Sequence, residues 1–233
     1  MTKLLQNRIS ESKLTLPVTV LCVTGVWLLA GLTQGDWWAS FACFVVSTYL
    51  MIELNNSNAL IRIYSRMVSC VFLVLSAVAC PLFASTEGAW VQVCVVGALL
   101  MIFRTYQDGT SVGSSYYAYL CIGLASLSFV QIVCLIPLLL LMHGVVLHSL
   151  SWRTFFAGFF GLLTPYWFWT CWSVYQQSID QITDHFMALT EWSQPFDFSA
   201  WDGSQVAVLL LLALISVIGI VHYIRTSYLD RIR

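Results

Sequence analysis

Residues 116–150 read YYAYLCIGLASLSFVQIVCLIPLLLLMHGVVLHSL, with no Asp, Glu, Lys or Arg. A straight α-helix over these roughly 35 residues would reach about 52 Å at 1.5 Å per residue, against a hydrocarbon core of about 30 Å. The stretch must fold back on itself. The polar interruption Ser126–Gln131 (SLSFVQ) predicts the bend, giving two short helices over about 116–128 and 131–150.

Outward from this segment the chain alternates apolar blocks with short polar connections. On the N-terminal side, Arg104–Ser115 (RTYQDGTSVGSS) reads as a loop from its Gly, Ser and Thr. Upstream, apolar blocks over about 14–32, 37–52, 60–84 and 89–103 are separated by Thr33–Asp36, by the polar stretch Glu53–Asn58 (ELNNSN) and by Ser85–Gly88. The second block is short for a membrane crossing. The first reads as an uncleaved span, being longer than the 7–15 residues or so of a signal core and lacking an A-x-A-like exit. On the C-terminal side, a block over about 153–175 holds Pro165, which predicts a kink. Residues 176–204 form the long hydrophilic segment, and a last block covers about 205–224. The expectation is an all-α, polytopic transmembrane bundle of about eight membrane-embedded helices, forming one domain over 1–233.

Composition agrees. Apolar residues make up 59% of the chain, charged residues 9%, and mean hydropathy is +0.83. Soluble domains carry about 25% charged residues, so this chain cannot coat a water-facing surface. None of the eight cysteines (Cys22, Cys43, Cys70, Cys80, Cys94, Cys121, Cys134, Cys171) forms a CxxC pair, and they read as small buried hydrophobes rather than metal or redox sites. No cofactor, metal or nucleic-acid partner is expected.

The basic residues orient the bundle. With the N-terminus in the cytoplasm and sides alternating, all ten Lys and Arg (Lys3, Arg8, Lys13, Arg62, Arg66, Arg104, Arg153, Arg225, Arg231, Arg233) fall on cytoplasmic segments. The opposite connections hold Asp36, Glu87, Asp180, Asp184, Glu191, Asp197 and Asp202 and no cation. Both termini are thus expected in the cytoplasm. The acidic, aromatic segment 176–204, with Trp192, Phe196, Phe198 and Trp201, is expected along the outer boundary, in part as a short amphipathic helix.

The segments IELNNSNALIRIYSRM (52–67), FRTYQDGTSVGSS (103–115), GLASLSFVQIVCLIPLLLL (123–141) and SWRTFFAGFFGLLTPYWF (151–168) together resemble an uncharacterised family of integral membrane proteins from the Bacteroidota. The corresponding residues are Asn55, Asn56, Arg62, Ser126, Leu127, Arg153, Gly161, Pro165 and Tyr166, and the likeness spans roughly 45–175. It implies a bacterial inner-membrane location and carries no activity or substrate.

Polar residues that could carry chemistry gather at the cytoplasmic connections: Glu53, Asn55, Asn56, Asn58, Arg62, Arg66, Arg104, Asp108 and Arg153. Arg62 and Arg66 are spaced i, i+4 on one helix face, and guanidinium pairs fit phosphate oxygens through forked hydrogen bonds. The Gly/Ser/Thr loop after Arg104 can offer backbone N–H groups and hydroxyls to an anion, although it lacks the Gly-Lys-Ser/Thr of a phosphate-binding P-loop. These residues fit a pocket for an anionic lipid or lipid-linked phosphate. Arginines at helix ends equally serve to set topology and touch head groups without specificity. Glu53 and Asp108 are the candidate acids, Glu53 also reading as the ion-pair partner of Arg62, Arg66 or Arg104.

His143 lies inside a span and is expected to hydrogen-bond to a neighbouring helix. His185 with Asp180, Asp184 and Glu191 could hold a divalent cation or simply be solvated. Three functions stay open. The first is a non-enzymatic protein that binds membrane lipid, another membrane protein or a second copy of itself. The second is an enzyme acting on a lipid-linked substrate through Glu53 or Asp108. The third is a small-solute transporter using the broken helices at 116–150.

Overall fold

A computed structural model describes residues 14–32, 35, 37–58, 67–78, 85–178, 180–190, 203, 206–207, 209–214 and 216–218. All regular structure among them is helical. The helices are α1 (Thr15–Leu29), α2 (Trp38–Asn58), α3 (Met67–Val78), α4 (Thr86–Phe103), α5 (Val112–Ser128), α6 (Ile136–Leu141), α7 (Trp152–Tyr175) and α8 (Asp180–Met187), with an apolar helix α9 over Leu209–Ile218. Two of them, α2 over Trp38–Ser57 and α4, are long and apolar enough to cross a membrane.

The second element is not short. The helix runs through ELNNSN to Asn58, which corrects the reading of 53–58 as a connection. Leu54 and Asn55 turn inward and are buried, while the Ser57 hydroxyl donates to the Glu53 carbonyl at 2.7 Å. Asn55, Asn56, Ser57 and Asn58 are weak helix formers, but one buried face and one satisfied hydroxyl carry the helix on. Its 21 residues span about 31 Å. At the other connections, α4 begins where the Ser85 hydroxyl accepts from the Gly88 N–H at 3.4 Å, with Glu87 in its first turn facing the positive end of the helix dipole. Helix α5 starts at Val112, so the last four residues of the expected loop are helical.

The long apolar stretch breaks at Phe129, whose backbone is extended (φ −142°, ψ 95°). A 3-10 turn over Val130–Leu135 follows, then α6 with Pro137 in its first turn, then a π turn over Met142–Val146 closed by the Leu147 N–H on the Met142 carbonyl at 2.9 Å. The second short helix of the sequence reading is therefore three pieces of different pitch.

Packing runs α1–α3–α2–α4–α5–α7, each helix against the next. One core joins Val23, Trp27, Phe44 and Leu73 of α1, α2 and α3, with Trp27 edge-on to Phe41 at 5.6 Å. A second joins Ala98 and Ile102 of α4, Ala118, Tyr119 and Ile122 of α5, and Leu139 and Leu147. The α5–α7 contact is the tightest. A Cβ on Gly158 would stand 2.6 Å from the Tyr119 ring, one on Gly123 2.9 Å from the Leu162 carbonyl, and one on Gly161 would fall on the Tyr116 carbonyl oxygen. Two side-chain bonds cross the same interface, Tyr166 Oη to Ser126 Oγ at 2.8 Å and Tyr116 Oη with Thr164 Oγ1 at 3.0 Å.

The surface carries large apolar side chains, and many small polar ones lie buried beside the two cores. Phe155, Phe156, Phe159, Phe160, Trp167, Phe168 and Trp172 of α7 are exposed, whereas Ser40, Ser47, Ser69, Thr105, Ser115, Ser126, Ser149 and Thr154 are buried.

Candidate functional site

The ends of α2, α4 and α7 meet at one end of the molecule, held by bonds that link three separate connections. Arg104 follows the last residue of α4 and lies 3.8 Å from the carboxylate of Glu53 on α2, both side chains close to half exposed. Arg104 is thus one of the three partners the sequence allows Glu53, the other two, Arg62 and Arg66, lying outside the described residues. Gln107, in a left-handed conformation (φ 55°), donates its N–H to the Leu147 carbonyl at 2.9 Å. Thr105 Oγ1 and Ser149 Oγ share a buried hydrogen bond of 2.9 Å. The Ser151 hydroxyl donates to the Gly109 carbonyl at 2.8 Å.

Ser151 and Thr154 also form a reciprocal cap on α7. The Thr154 N–H reaches Ser151 Oγ at 3.3 Å and the Ser151 N–H reaches Thr154 Oγ1 at 2.8 Å. Such a cap contributes roughly 1 kcal/mol to a helix start. Its Ser-x-x-Thr spacing is visible in the sequence, and it is the signal that could have found this network.

This economy of hydroxyls changes the reading of the Gly/Ser/Thr loop. Ser115 donates to the Ser111 carbonyl, Ser111 to the Asp108 carbonyl, and the Thr110 N–H and hydroxyl both bond Asp108 Oδ1, at 2.9 and 2.6 Å. The loop closes on itself rather than presenting a hydroxyl cradle. Asp108 is its turn-forming residue, and the two bonds from Thr110 hold its carboxyl below the usual carboxylate range.

The remaining sequence-nominated residues divide three ways. Asn55 is buried on α2, and Asn56 is exposed one residue on. Asn58 ends that helix, and Arg62 and Arg66 lie outside the described residues. Arg153 stands exposed in the first turn of α7 and makes no ion pair among the described residues. It shares that turn with Trp152 and Phe155, which with Leu150 and Ser151 line an apolar groove of about 380 Å³.

At the opposite end of α7, α8 folds back on its last turns. His185 lies edge-on to Trp169 at 5.0 Å, Phe186 stacks on Tyr166 at 5.6 Å, and Gln131 Nε2 donates to the Ala188 carbonyl at 3.4 Å. Burial against these rings lowers the His185 pKa, the nearby Ser126 carbonyl opposing. No group of His, Cys, Asp and Glu able to hold a metal ion occurs among the described residues.

His143 departs from expectation. It is fully buried, neither ring nitrogen has a hydrogen-bond partner among the described residues, and it lies nearly parallel to Tyr119 with ring centroids 6.3 Å apart.

No family model, curated protein or solved structure matches this chain.

Proposed function

We propose that the chain is a polytopic membrane protein of about eight embedded helices whose α2/α4/α7 end lies at the cytoplasmic surface and binds the phosphate-bearing head of an anionic lipid or lipid-linked carrier. The membrane part of this reading is supported by the surface: large aromatic and aliphatic side chains outside, with small Ser and Thr buried beside the cores, as expected where lipid replaces water as solvent. It is supported further by the sorting of all ten cations to one side.

The observation that carries the binding site is Arg153. A guanidinium with no ion pair among the described residues sits in the same helical turn as an apolar groove, and the start of that helix is tied to the loop after Arg104 by the Ser151–Gly109 bond. A phosphate head on Arg153 with its chain along Trp152 and Phe155 satisfies both. Arg104 can add a second cation, since a half-exposed pair with Glu53 is worth at most about 1 kcal/mol and yields readily to a competing phosphate. Binding is favoured over catalysis because Asp108, one of the two candidate acids, is engaged by Thr110 as the turn-forming residue of its loop.

Lipid extracted with the protein from mild detergent, measured by native mass spectrometry, tests this. The wild type is expected to retain anionic phospholipid or a phosphorylated carrier. Arg153→Ala should cut that retention several-fold, and Arg104→Ala should cut it less. Equal retention of zwitterionic and anionic lipid by the wild type, unchanged in Arg153→Ala, would overturn the reading.

A further inference from the structure

We infer that the outward aromatic face of α7 is a track for one long polyisoprenoid chain, so that the phosphate held at Arg153 is that of a polyprenyl phosphate rather than of a diacyl lipid. The inference rests on the lipid-head reading above and names its ligand.

Composition singles out α7. Trp152, Phe155, Phe156, Phe159, Phe160 and Trp167 are all exposed on it. At 3.6 residues per turn these positions fall on one face, with a ring in every turn from 152 to 167. Trp152, Phe155 and Phe156 lie between 5.9 and 6.4 Å apart by ring centroid, and Phe159 and Phe160 lie 5.9 Å apart. The other outward faces differ. The exposed large side chains of α1 and α3 are Leu and Val alone, such as Leu21, Leu28, Val71 and Val74. The exposed rings of α2, α4 and α5 are the isolated Trp38, Tyr49, Trp90 and Tyr117. Contact with hydrocarbon alone would select the same side chains on every outward face. Nor is the row on α7 an aromatic belt at a membrane boundary, because Phe159 and Phe160 carry it on past the first two turns of the helix.

Two observations choose a chain over a helix as the occupant. Membrane helices approach one another through small residues, and α7 turns its own, Gly158 and Gly161, onto Tyr119 and Tyr116 of α5. The aromatic face holds none. That face also begins in the groove of Leu150, Ser151, Trp152 and Phe155 beside Arg153, so a molecule whose head meets the guanidinium meets the rings next.

Length and width then choose among lipids. From Trp152 to Trp167 is about 22 Å at 1.5 Å per residue. One leaflet offers about 15 Å, half of a core of about 30 Å. An acyl chain anchored at Arg153 stops short of Trp167, whereas a polyprenyl chain covers the whole row. The groove, at about 380 Å³, lies near the lower limit of ligand pockets, about 300 Å³, and takes one chain beside the cation. Its hydroxyl is already committed and offers nothing to a glycerol backbone: Ser151 donates to the Gly109 carbonyl and accepts from the Thr154 N–H. Ring faces are electron-rich, and the methyl groups and allylic hydrogens along an isoprenoid chain suit them better than plain methylenes do.

Native mass spectrometry of the full chain in mild detergent, offered undecaprenyl phosphate, farnesyl phosphate and dioleoyl phosphatidate in equal amounts, tests the inference. The wild type is expected to retain undecaprenyl phosphate several-fold over both others, a comparison that needs no variant. Phe156→Leu, Phe159→Leu and Phe160→Leu combined keep the face apolar and should remove that preference while leaving phosphatidate retention unchanged. Arg153→Ala should lower retention of all three. Equal retention of undecaprenyl phosphate and phosphatidate by the wild type overturns the inference and leaves the lipid-head reading standing. So does a preference that survives the triple replacement, or a dimer of the chain that the triple replacement disrupts. Retention of none of the three overturns both.

Discussion

Asp108 shows how a polar residue can carry the signature of a catalytic acid and do another job. Its carboxylate accepts two bonds from Thr110, and this stabilises the charged form. A carboxyl held lower in the folded than in the unfolded chain adds stability above the unfolded value of about 3.9 and loses it as pH falls through the lower folded value. Amide protection factors across 104–111 should therefore be unchanged from pH 8 to 5 and fall only below about pH 4. Asp108→Asn should leave lipid retention intact, where loss with normal protein accumulation would restore Asp108 as a catalytic candidate. The sequence made Glu53 legible as the ion-pair partner of Arg62, Arg66 or Arg104, because a carboxylate beside an apolar block needs a cation, and few cations exist; it did not say which. It left the Thr105–Ser149 and Ser151–Gly109 bonds unread, because a serine announces neither the partner nor the direction of its hydroxyl.

Among the helices, the α5–α7 contact sets the sharpest expectations. Gly161→Ala pushes a methyl onto the Tyr116 carbonyl and should cost roughly 1–3 kcal/mol in thermal or chemical unfolding, as overpacking does. Gly97→Ala is the control, since its Cβ would meet Cys121 Sγ at an ordinary 3.7 Å, and it should be neutral or slightly stabilising. Helix α8 responds to pH in the same sense as Asp108 but over a higher range. Burial against Trp169 lowers the His185 pKa, so its docking is complete above the unfolded value of about 6.5 and weakens as pH falls below it. Amide protection in 180–188 should begin to drop as pH falls below about 6.5, and His185→Phe should abolish that drop. Element type was readable from apolar block length. Element limits were not, because ELNNSN looks like a connection until one knows that Leu54 and Asn55 find a buried face. The pitch changes after Phe129 have no periodic signal either, since Gln131 and His143 are the lone strongly polar residues among the apolar ones around them.

At the scale of the molecule, the charge sorting and the apolar surface make one map. Asp108→Cys should react with a charged thiol reagent only from the cytoplasmic side, and Asp180→Cys only from the other. The exposed Cys134 and Cys171, if they face hydrocarbon, should react from neither side. A cytoplasmic Asp180→Cys would invert the map. The convergence of three connections at the α2/α4/α7 end could not be read from the chain, because it depends on which helices touch. Pro165 adds a property of the whole assembly. Having no N–H, it leaves the Gly161 carbonyl without its helical partner, at the level where α7 lies closest to α5. The Pro165 ring also meets Gly123 of α5, where a Cβ would stand 3.0 Å from its Cγ. The turn of α7 that lacks a backbone bond is thus the turn braced by its neighbour, so packing supplies there what the missing N–H does not.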